Sequence, residues 1–353
     1  MRQAGQSGGG GSRQVGQLPE DSMLDGKKIA VAIPAYNVSA QIGEVIGAMP
    51  ACVDRIFVVD DASPDDVAER VQKLANPRVE LLRHKINQGV GGATVSGMKA
   101  ALSAGYDIVV KCDGDGQMDP AEIPRLLQPL LNGSADHAKG SRFHHFRALN
   151  QMPKWRFIGN IGLTFLTKLA SGYWNVLDPV NGFLATRAEV LRSIQLSRVS
   201  RRYFFETDLL IRLNVAEARV ADVPLPARYG EESSALSVPR VLFAFPPRLL
   251  AGLVRRIFWR YLFYDVSPIA IFATLSAVFL GFGILFGSYQ WIHHALTNVP
   301  TPIGTVILAA LPCILGFELL LQAIVLDIQN TPRPGGPPPR KTATPSEQID
   351  LQE

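Results

Sequence analysis

Tyr106-Asp-Ile-Val-Val-Lys-Cys112 runs directly into Asp113-Gly-Asp115-Gly-Gln117-Met-Asp119-Pro120, an apolar run that breaks into carboxylates separated by glycine. A short apolar run closed by a turn-forming cluster reads as a buried strand. Carboxylates at i and i+2 with glycines between them leave the backbone free to turn both sets of oxygens toward one ion. Hard cations such as Mg²⁺ or Mn²⁺ take such oxygens and also bridge the phosphates of a nucleotide. Asp115 sits where a helix cap has no use for it and is read as a metal ligand. Asp119 has two readings, a ligand or the cap of a helix beginning at Pro120. An EF-hand is disfavoured, because the later ligands of its loop, the terminal Glu included, are missing.

Working toward the N-terminus, three further strands precede this one, at Lys28–Pro34, Asp54–Asp60 and Val79–Arg83. Helical segments at Ala40–Met49, Pro64–Ala75 and Gly91–Ala104 alternate with them. That alternation predicts an α/β fold with a mostly parallel sheet, in which ligands collect beyond the carboxyl ends of the strands. Asn37, the Asp60-Asp61 pair, Asn87 and the Asp113-Asp115 pair each follow a strand, so four strand ends converge on one edge. In Asp60-Asp61-Ala-Ser63-Pro-Asp65 one carboxylate is available to a ribose or base, while Ser63 or Asp65 starts the next helix. Gly89-Val-Gly91-Gly92 lacks both the Lys-Ser/Thr of a P-loop and the dinucleotide spacing, and reads as a tight strand-to-helix connection.

Toward the C-terminus, Lys139-Gly-Ser141-Arg142 offers two cations and a hydroxyl, and Asp178-Pro-Val-Asn181-Gly182-Phe183 a turn beside a carboxylate and an amide. Phe205-Glu206-Thr207-Asp208 opens a leucine-rich helix. Its acids either favour the helix N-terminus or face a substrate, and spacing does not choose between them.

The chain has 353 residues, 47% of them hydrophobic, and a formal charge of +4. The apolar excess is local, since no Asp, Glu, Lys or Arg occurs between Val266 and Phe317. Residues 266–287 and 302–326 are predicted as transmembrane helices joined by an outer loop at 288–301. A span of that length reaches about 33 Å, enough for a hydrocarbon core of about 30 Å. Arg248, Arg255, Arg256 and Arg260 precede the first span, Arg333, Arg340 and Lys341 follow the second, and the loop has no Lys or Arg. The positive-inside rule therefore predicts a hairpin with both termini cytoplasmic, and a bacterial inner membrane is the expected location. Residues 236–265 mix Arg with aromatic and aliphatic residues and are predicted as amphipathic helices lying on the bilayer, divided at Pro246-Pro247. Glu318, inside the second span, needs a polar partner and suggests an assembly role.

Residues 1–26 and 327–353 read as disordered tails, and 27–235 as the catalytic domain. There is no long basic run to suggest a nucleic-acid partner. Cys52, Cys112 and Cys313 form no CxxC pair and suit a reducing compartment.

Taken together, Val31-Ala-Ile-Pro34-Ala-Tyr36-Asn37, Val58-Val-Asp60-Asp61-Ala-Ser63, Asn87-Gln-Gly89, the Asp113–Pro120 run, Lys139–Arg142, Asp178–Phe183 and Phe205-Glu206 resemble glycosyltransferase family 2. Within it they are similar to the polyprenyl-phosphate glycosyltransferases, the group of the dolichyl-phosphate mannose and bactoprenol glucosyl enzymes. The resemblance implies a Rossmann-like GT-A domain with a mixed sheet, transferring a hexose with inversion from a UDP- or GDP-sugar to a polyprenyl phosphate. By the same resemblance Pro34, Tyr36, Asn37, Asp61 and Asp113 border the nucleotide, and Asp115 and Gln117 hold Mg²⁺ or Mn²⁺. Ser141 and Arg142 approach the acceptor phosphate, while Arg202, Glu206 and Arg228 are candidates for phosphate or sugar contacts. Asp115, Arg142 and Asp113 are then the catalytic set, and homo-oligomers are known among relatives. Two departures stand out. The glycine loop after Asn87 has no Lys or Arg, so any phosphate contact there is expected from backbone groups. Gln151-Met-Pro-Lys154-Trp155 is near the QxxRW element of processive synthases but has Lys for Arg and precedes Phe205-Glu206. A processive glycan synthase, or a non-catalytic nucleotide-binding scaffold, is the alternative.

Overall fold

The computed structural model describes residues 26–141, 154–226 and 238–338. The strands are β1 (Ile29–Ala35), β2 (Arg55–Asp60), β3 (Val79–Arg83), β4 (Ile108–Lys111), β5 (His137–Ser141), β6 (Leu184–Arg187) and β7 (Val220–Pro224). They form one sheet in the order β3-β2-β1-β4-β6-β5-β7. Only β6 runs against its neighbours, β4 and β5; the other pairings are parallel. The four N-terminal strands form as expected along the chain, and the sheet is mixed and mostly parallel, as the resemblance implies.

Alternation along β1 divides the core in two. Ile29, Val31 and Ile33 face α1 (Ile42–Gly47), α2 (Val67–Lys73) and α4 (Ile123–Leu131) through Ile42, Ile46, Val71 and Leu126. Ala30 and Ala32 face α3 (Val90–Ser103) and α7 (Phe205–Val215) through Met98, Leu209 and Leu213. The small residues on that face let α3 come close: a Cβ on Gly97 would lie 2.7 Å from that of Ala32. Burial on both faces is why β1 reads as an unbroken apolar run.

Beyond the sheet, α5 (Lys154–Ser171), α6 (Ala188–Ser193) and α8 (Val238–Arg256) lead to a π-helical segment at Ile257–Phe263. The expected division of residues 236–265 at Pro246-Pro247 does not occur, because α8 continues through both prolines. Phe245 and Leu249 flank the pair and are buried with Ala170, Phe204 and Ile211. That packing outweighs the two lost N–H donors. The helix changes pitch later, where Arg256, Arg260 and Tyr261 turn inward.

Two long helices follow, α9 (Pro268–Thr297) and α10 (Ile303–Gln329), both long and apolar enough to cross a membrane. They pack through small residues. A Cβ on Gly283 would stand 2.5 Å from Cys313 Sγ, and one on Gly316 2.8 Å from Leu280 Cγ. Ser276 Oγ donates to Gly316 O at 2.7 Å. The spans are longer than the predicted 266–287 and 302–326. The drop in hydropathy after Gly287 marks the end of the apolar run and not of the helix, which ends at Asn298 in the left-handed conformation, φ 53°. Glu318 is exposed and accepts from Gln322 Nε2, one turn on, at 3.1 Å.

Two further expectations are corrected. The tail predicted at 327–353 begins inside α10, and its described part is docked, with Gly335 N donating to Ser134 O at 2.8 Å and Arg219 Nη1 to Gly336 O at 3.3 Å. The juxtamembrane arginines, expected among lipid phosphates, mostly face the protein. Arg256 is fully buried and grips Asp327 of α10 with two N–H groups at 2.6 and 3.0 Å. Tyr261 Oη and Trp174 Nε1 donate to the same carboxylate at 2.8 and 3.0 Å. Arg260 Nη2 donates to Asn330 O at 2.8 Å, and Arg255 pairs with Asp208. Desolvating a guanidinium is costly unless acceptors surround it, and α5, α7 and α10 supply them here. Arg248 remains exposed.

Candidate active site

The register aligns the strand ends: Ala35 lies opposite Asp60, Asp60 opposite Arg83, and Ala32 opposite Lys111. Because β6 is antiparallel, the Asp178–Phe183 turn enters the sheet at the edge where β1, β4 and β5 leave it. Connections diverge between β1 and β4, where an open α/β sheet offers its ligand crevice.

At the end of β1, Tyr36 is exposed and Asn37 takes φ 57°. Asn37 N donates to Ser63 Oγ at 2.7 Å and Ser39 N to Asp65 Oδ2 at 2.8 Å, which ties this turn to the one after β2. Ser63 and Asp65 thus brace two loops, and α2 begins at Val67. Asp60 accepts from Ser63 N at 2.9 Å and pairs with Arg83 at 3.2 Å. Asp61 is buried and accepts from His84 Nδ1, Gln88 N and Gly89 N at 2.7 to 2.8 Å. The carboxylate expected to border a nucleotide is therefore turned into the Asn87–Gly89 loop, which it shapes through two backbone N–H groups.

That loop meets a partner which sequence reading did not bring to it. Gly92 N donates to Arg201 O at 2.9 Å, and a Cβ on Gly89 would lie 2.7 Å from Arg201 O and 3.0 Å from Arg202 Cγ. Gly89, at φ 85°, is required both by conformation and by this approach. Arg202 is exposed beside the loop, so the segment before α7 places a cation next to it.

The turn after β4 carries the oxygen donors. Asp113 and Asp115 are partly exposed and Gln117 is exposed. Asp115 Oδ1 accepts from Gln117 N at 3.0 Å, and Gly116 takes φ 77°. Asp119 caps the turn at Pro120–Glu122, accepting from Ala121 N at 3.1 Å, as the cap reading expects. Among the described residues no three His, Cys, Asp or Glu side chains converge on a point. The donor set suits a hard ion held by one or two carboxylates that completes its shell with water and substrate phosphate.

Beneath this turn lie two lysines, Lys139 of the Lys139–Arg142 motif and, not singled out by the sequence, Lys111. Lys111 is fully buried, with Nζ 2.7 Å from Asp113 Oδ1, 3.4 Å from Glu206 Oε1 and 3.3 Å from Gly182 O. Burial opposes its charge, but Asp113 and Glu206 together outweigh burial and hold its pKa above the ordinary value. Lys139 of β5 is also buried and donates to Asn181 O. Burial dominates there, against the pull of Glu206 and Asp178, and lowers its pKa to about 8. The Asn181-Gly182 carbonyls thus rest on two lysine side chains. Ser141 is buried at the end of β5. Asp208 is taken up by Ser200 N at 2.9 Å, Arg212 at 3.2 Å and Arg255, a structural tie that leaves Glu206 as the acid at the site. Arg142, Arg228 and residues 151–153 lie outside the described residues, and Lys154 begins α5.

The model of the family described as "Glycosyl transferase family 2" matches residues 30–195. The chain is 33% identical to the UDP-N-acetylglucosamine–dolichyl-phosphate N-acetylglucosaminyltransferase of Methanococcus voltae, over 59% of this chain and 89% of that protein. It is 30% identical to the undecaprenyl-phosphate mannosyltransferase of Micrococcus luteus, over 56% of this chain and 82% of that protein. Glucosyl-3-phosphoglycerate synthase of Mycobacterium tuberculosis, crystallised with Mn²⁺, uridine diphosphate and glucosyl-3-phosphoglycerate, shares the fold. The TM-score is 0.51 at 23% identity, over 69% of this chain and 86% of that one.

Proposed function

This chain belongs to glycosyl transferase family 2, and from that premise we propose that it moves one hexose, with inversion, from a nucleotide-diphosphate sugar to a polyprenyl phosphate at the cytoplasmic face of a membrane. It is a glycosyltransferase using a nucleotide-sugar donor and a polyprenyl-phosphate acceptor. The observation that carries the finer reading is the junction at Arg256 and Asp327, which joins the domain bearing Asp113 and Asp115 to two long apolar helices.

In the transfer, a phosphate oxygen of the acceptor forms the new bond to the anomeric carbon. The bond from that carbon to the donor diphosphate breaks, and the electron pair leaves with the nucleotide. The attacking phosphate is already anionic near neutral pH, so no base has to remove a proton. The chain's task is alignment. Pro34, Tyr36 and Asn37 border the nucleotide, with the Asp61-shaped loop and Arg202 beside its phosphates. Asp115 and Gln117 hold Mg²⁺ or Mn²⁺, with Asp113 next to them. When bound, the ion neutralises charge on the departing diphosphate. Ser141 and Arg142, at and after the end of β5, are assigned to the acceptor phosphate.

The full-length protein in bilayers, supplied with a panel of UDP- and GDP-sugars, polyprenyl phosphate and Mg²⁺ or Mn²⁺, is expected to give one lipid product heavier by a single hexose. Absence of any lipid-linked sugar, or a ladder of added sugars, would overturn the reading. Arg202→Ala is expected to raise the donor KM roughly tenfold, about 1.4 kcal/mol, with kcat changed less than about threefold. An unchanged KM would remove Arg202 from the donor site.

A further inference from the structure

The structure assigns Lys111 a positioning role: it holds Asp113 and Glu206 around one buried cation, so that Glu206 serves as a charge partner and not as a proton acceptor. The reaction context rests on the function proposed above. The placement rests on four observations.

Lys111 ends β4, two residues before Asp113, and its side chain is wholly buried. A buried ammonium is costly unless oxygens surround it, and three do so from separate segments. Asp113 belongs to its own turn, Gly182 to the turn before β6, and Glu206 to the first turn of α7. The space is made by an absent side chain: a Cβ on Gly182 would lie 2.5 Å from Lys111 Nζ and 2.9 Å from Asp113 Oδ2. Glu206, its side chain 12% exposed, contributes the second negative charge to this junction. Both carboxylates in the junction are thereby matched by one ammonium, and an anionic acceptor needs no base. Without Lys111 the two carboxylates would lose the ammonium they share, and Lys139, which interacts with Glu206, would be the nearby cation left.

The prediction is a reversal of sign. In the otherwise unchanged protein, Glu206→Gln is expected to lower the transfer rate by less than about tenfold, against the roughly 10²–10⁴ that loss of a general base costs. Lys111→Met is expected to weaken binding of UDP or GDP, whichever the protein takes, by at least tenfold in MgCl₂, and to lower kcat further. In the Lys111→Met background, Glu206→Gln is expected to restore part of that affinity, because it removes one of the two repelling charges.

Nucleotide affinity is read by calorimetry without any acceptor, so a wrong assignment of the acceptor leaves this test intact. Should Lys111→Met fail to fold, Gly182→Ala replaces it, since the added methyl displaces the same ammonium. Its loss of affinity is expected to be relieved by Glu206→Gln in the same way. A loss of a hundredfold or more in kcat for Glu206→Gln alone, with nucleotide affinity intact, would make Glu206 a base and overturn the assignment. So would a double variant binding nucleotide no better than the single one.

Discussion

Asp115→Asn is expected to reduce sugar transfer by roughly a thousandfold or more, about 4 kcal/mol of transition-state stabilisation. The substitution keeps the size of the side chain and the oxygen that accepts from Gln117 N, so the turn itself has a reason to persist. What it removes is one anionic oxygen from a set that has few to spare, since no three ligating side chains converge among the described residues. An ion held by one or two carboxylates and the donor's phosphates does not tolerate the exchange of one carboxylate for an amide. The expected pattern is a collapse of kcat, a much weaker response to added MnCl₂ and an unchanged thermal transition. Turnover within tenfold of the parent protein would move the metal away from Asp115.

Asp327→Ala is expected to be strongly destabilising. It strands Arg256, which is fully buried and otherwise reaches the Ala170 and Leu169 carbonyls at 3.0 Å. It also leaves Tyr261 Oη and Trp174 Nε1 without their acceptor. Removing one partner of a buried ion pair costs about 3–5 kcal/mol, which in a domain of this size lowers the thermal transition by roughly 10 °C. Gly172 reinforces the point, since the guanidinium packs directly against it where any added Cβ would collide with Arg256 Nη1. Unfolding in detergent, followed by tryptophan fluorescence, should show the shift. Glu318→Gln, exposed on the same helix, is the control expected to move it by less than about 2 °C. Equal shifts for the two variants would show that the junction does not hold the helices to the domain.

Much of the architecture was legible because parallel strands buried on both faces announce themselves as apolar runs. β3 falls at Val79–Arg83 as predicted, and alternation alone finds the first four strands, though not their order across the sheet. The edge carrying Asn37, Asn87, Asp113 and Asp115 followed from the rule for strand ends. Beyond Cys112 the signal fades: β5 carries His137, Lys139 and Ser141, all buried, and nothing in a local pattern distinguishes a buried lysine from a solvent-facing one. The difference is made by partners remote in sequence, as Glu206 is for Lys111 and Asp327 for Arg256. Asp61 illustrates the converse. Its position at a strand end marked it as a ligand group, but only the folded loop shows that its oxygens are taken by Gln88, Gly89 and His84. The paired prolines of α8 misled for a related reason, because propensity was overruled by the burial of Phe245 and Leu249.

The inward-facing arginine at the end of α8 also sets an altitude. A catalytic domain on a slack tether would sample many heights above a leaflet, and a headgroup could be met anywhere among them. Here the last turn of α10 is clamped to α5 and α8, so the crevice is fixed relative to the hairpin. Hydrophobic helices answer a thinner or thicker bilayer by tilting. On the function proposed above, the thickness of the surrounding membrane would be converted into the angle at which the site is presented to a lipid, and the bilayer would become a parameter of the reaction as much as its solvent.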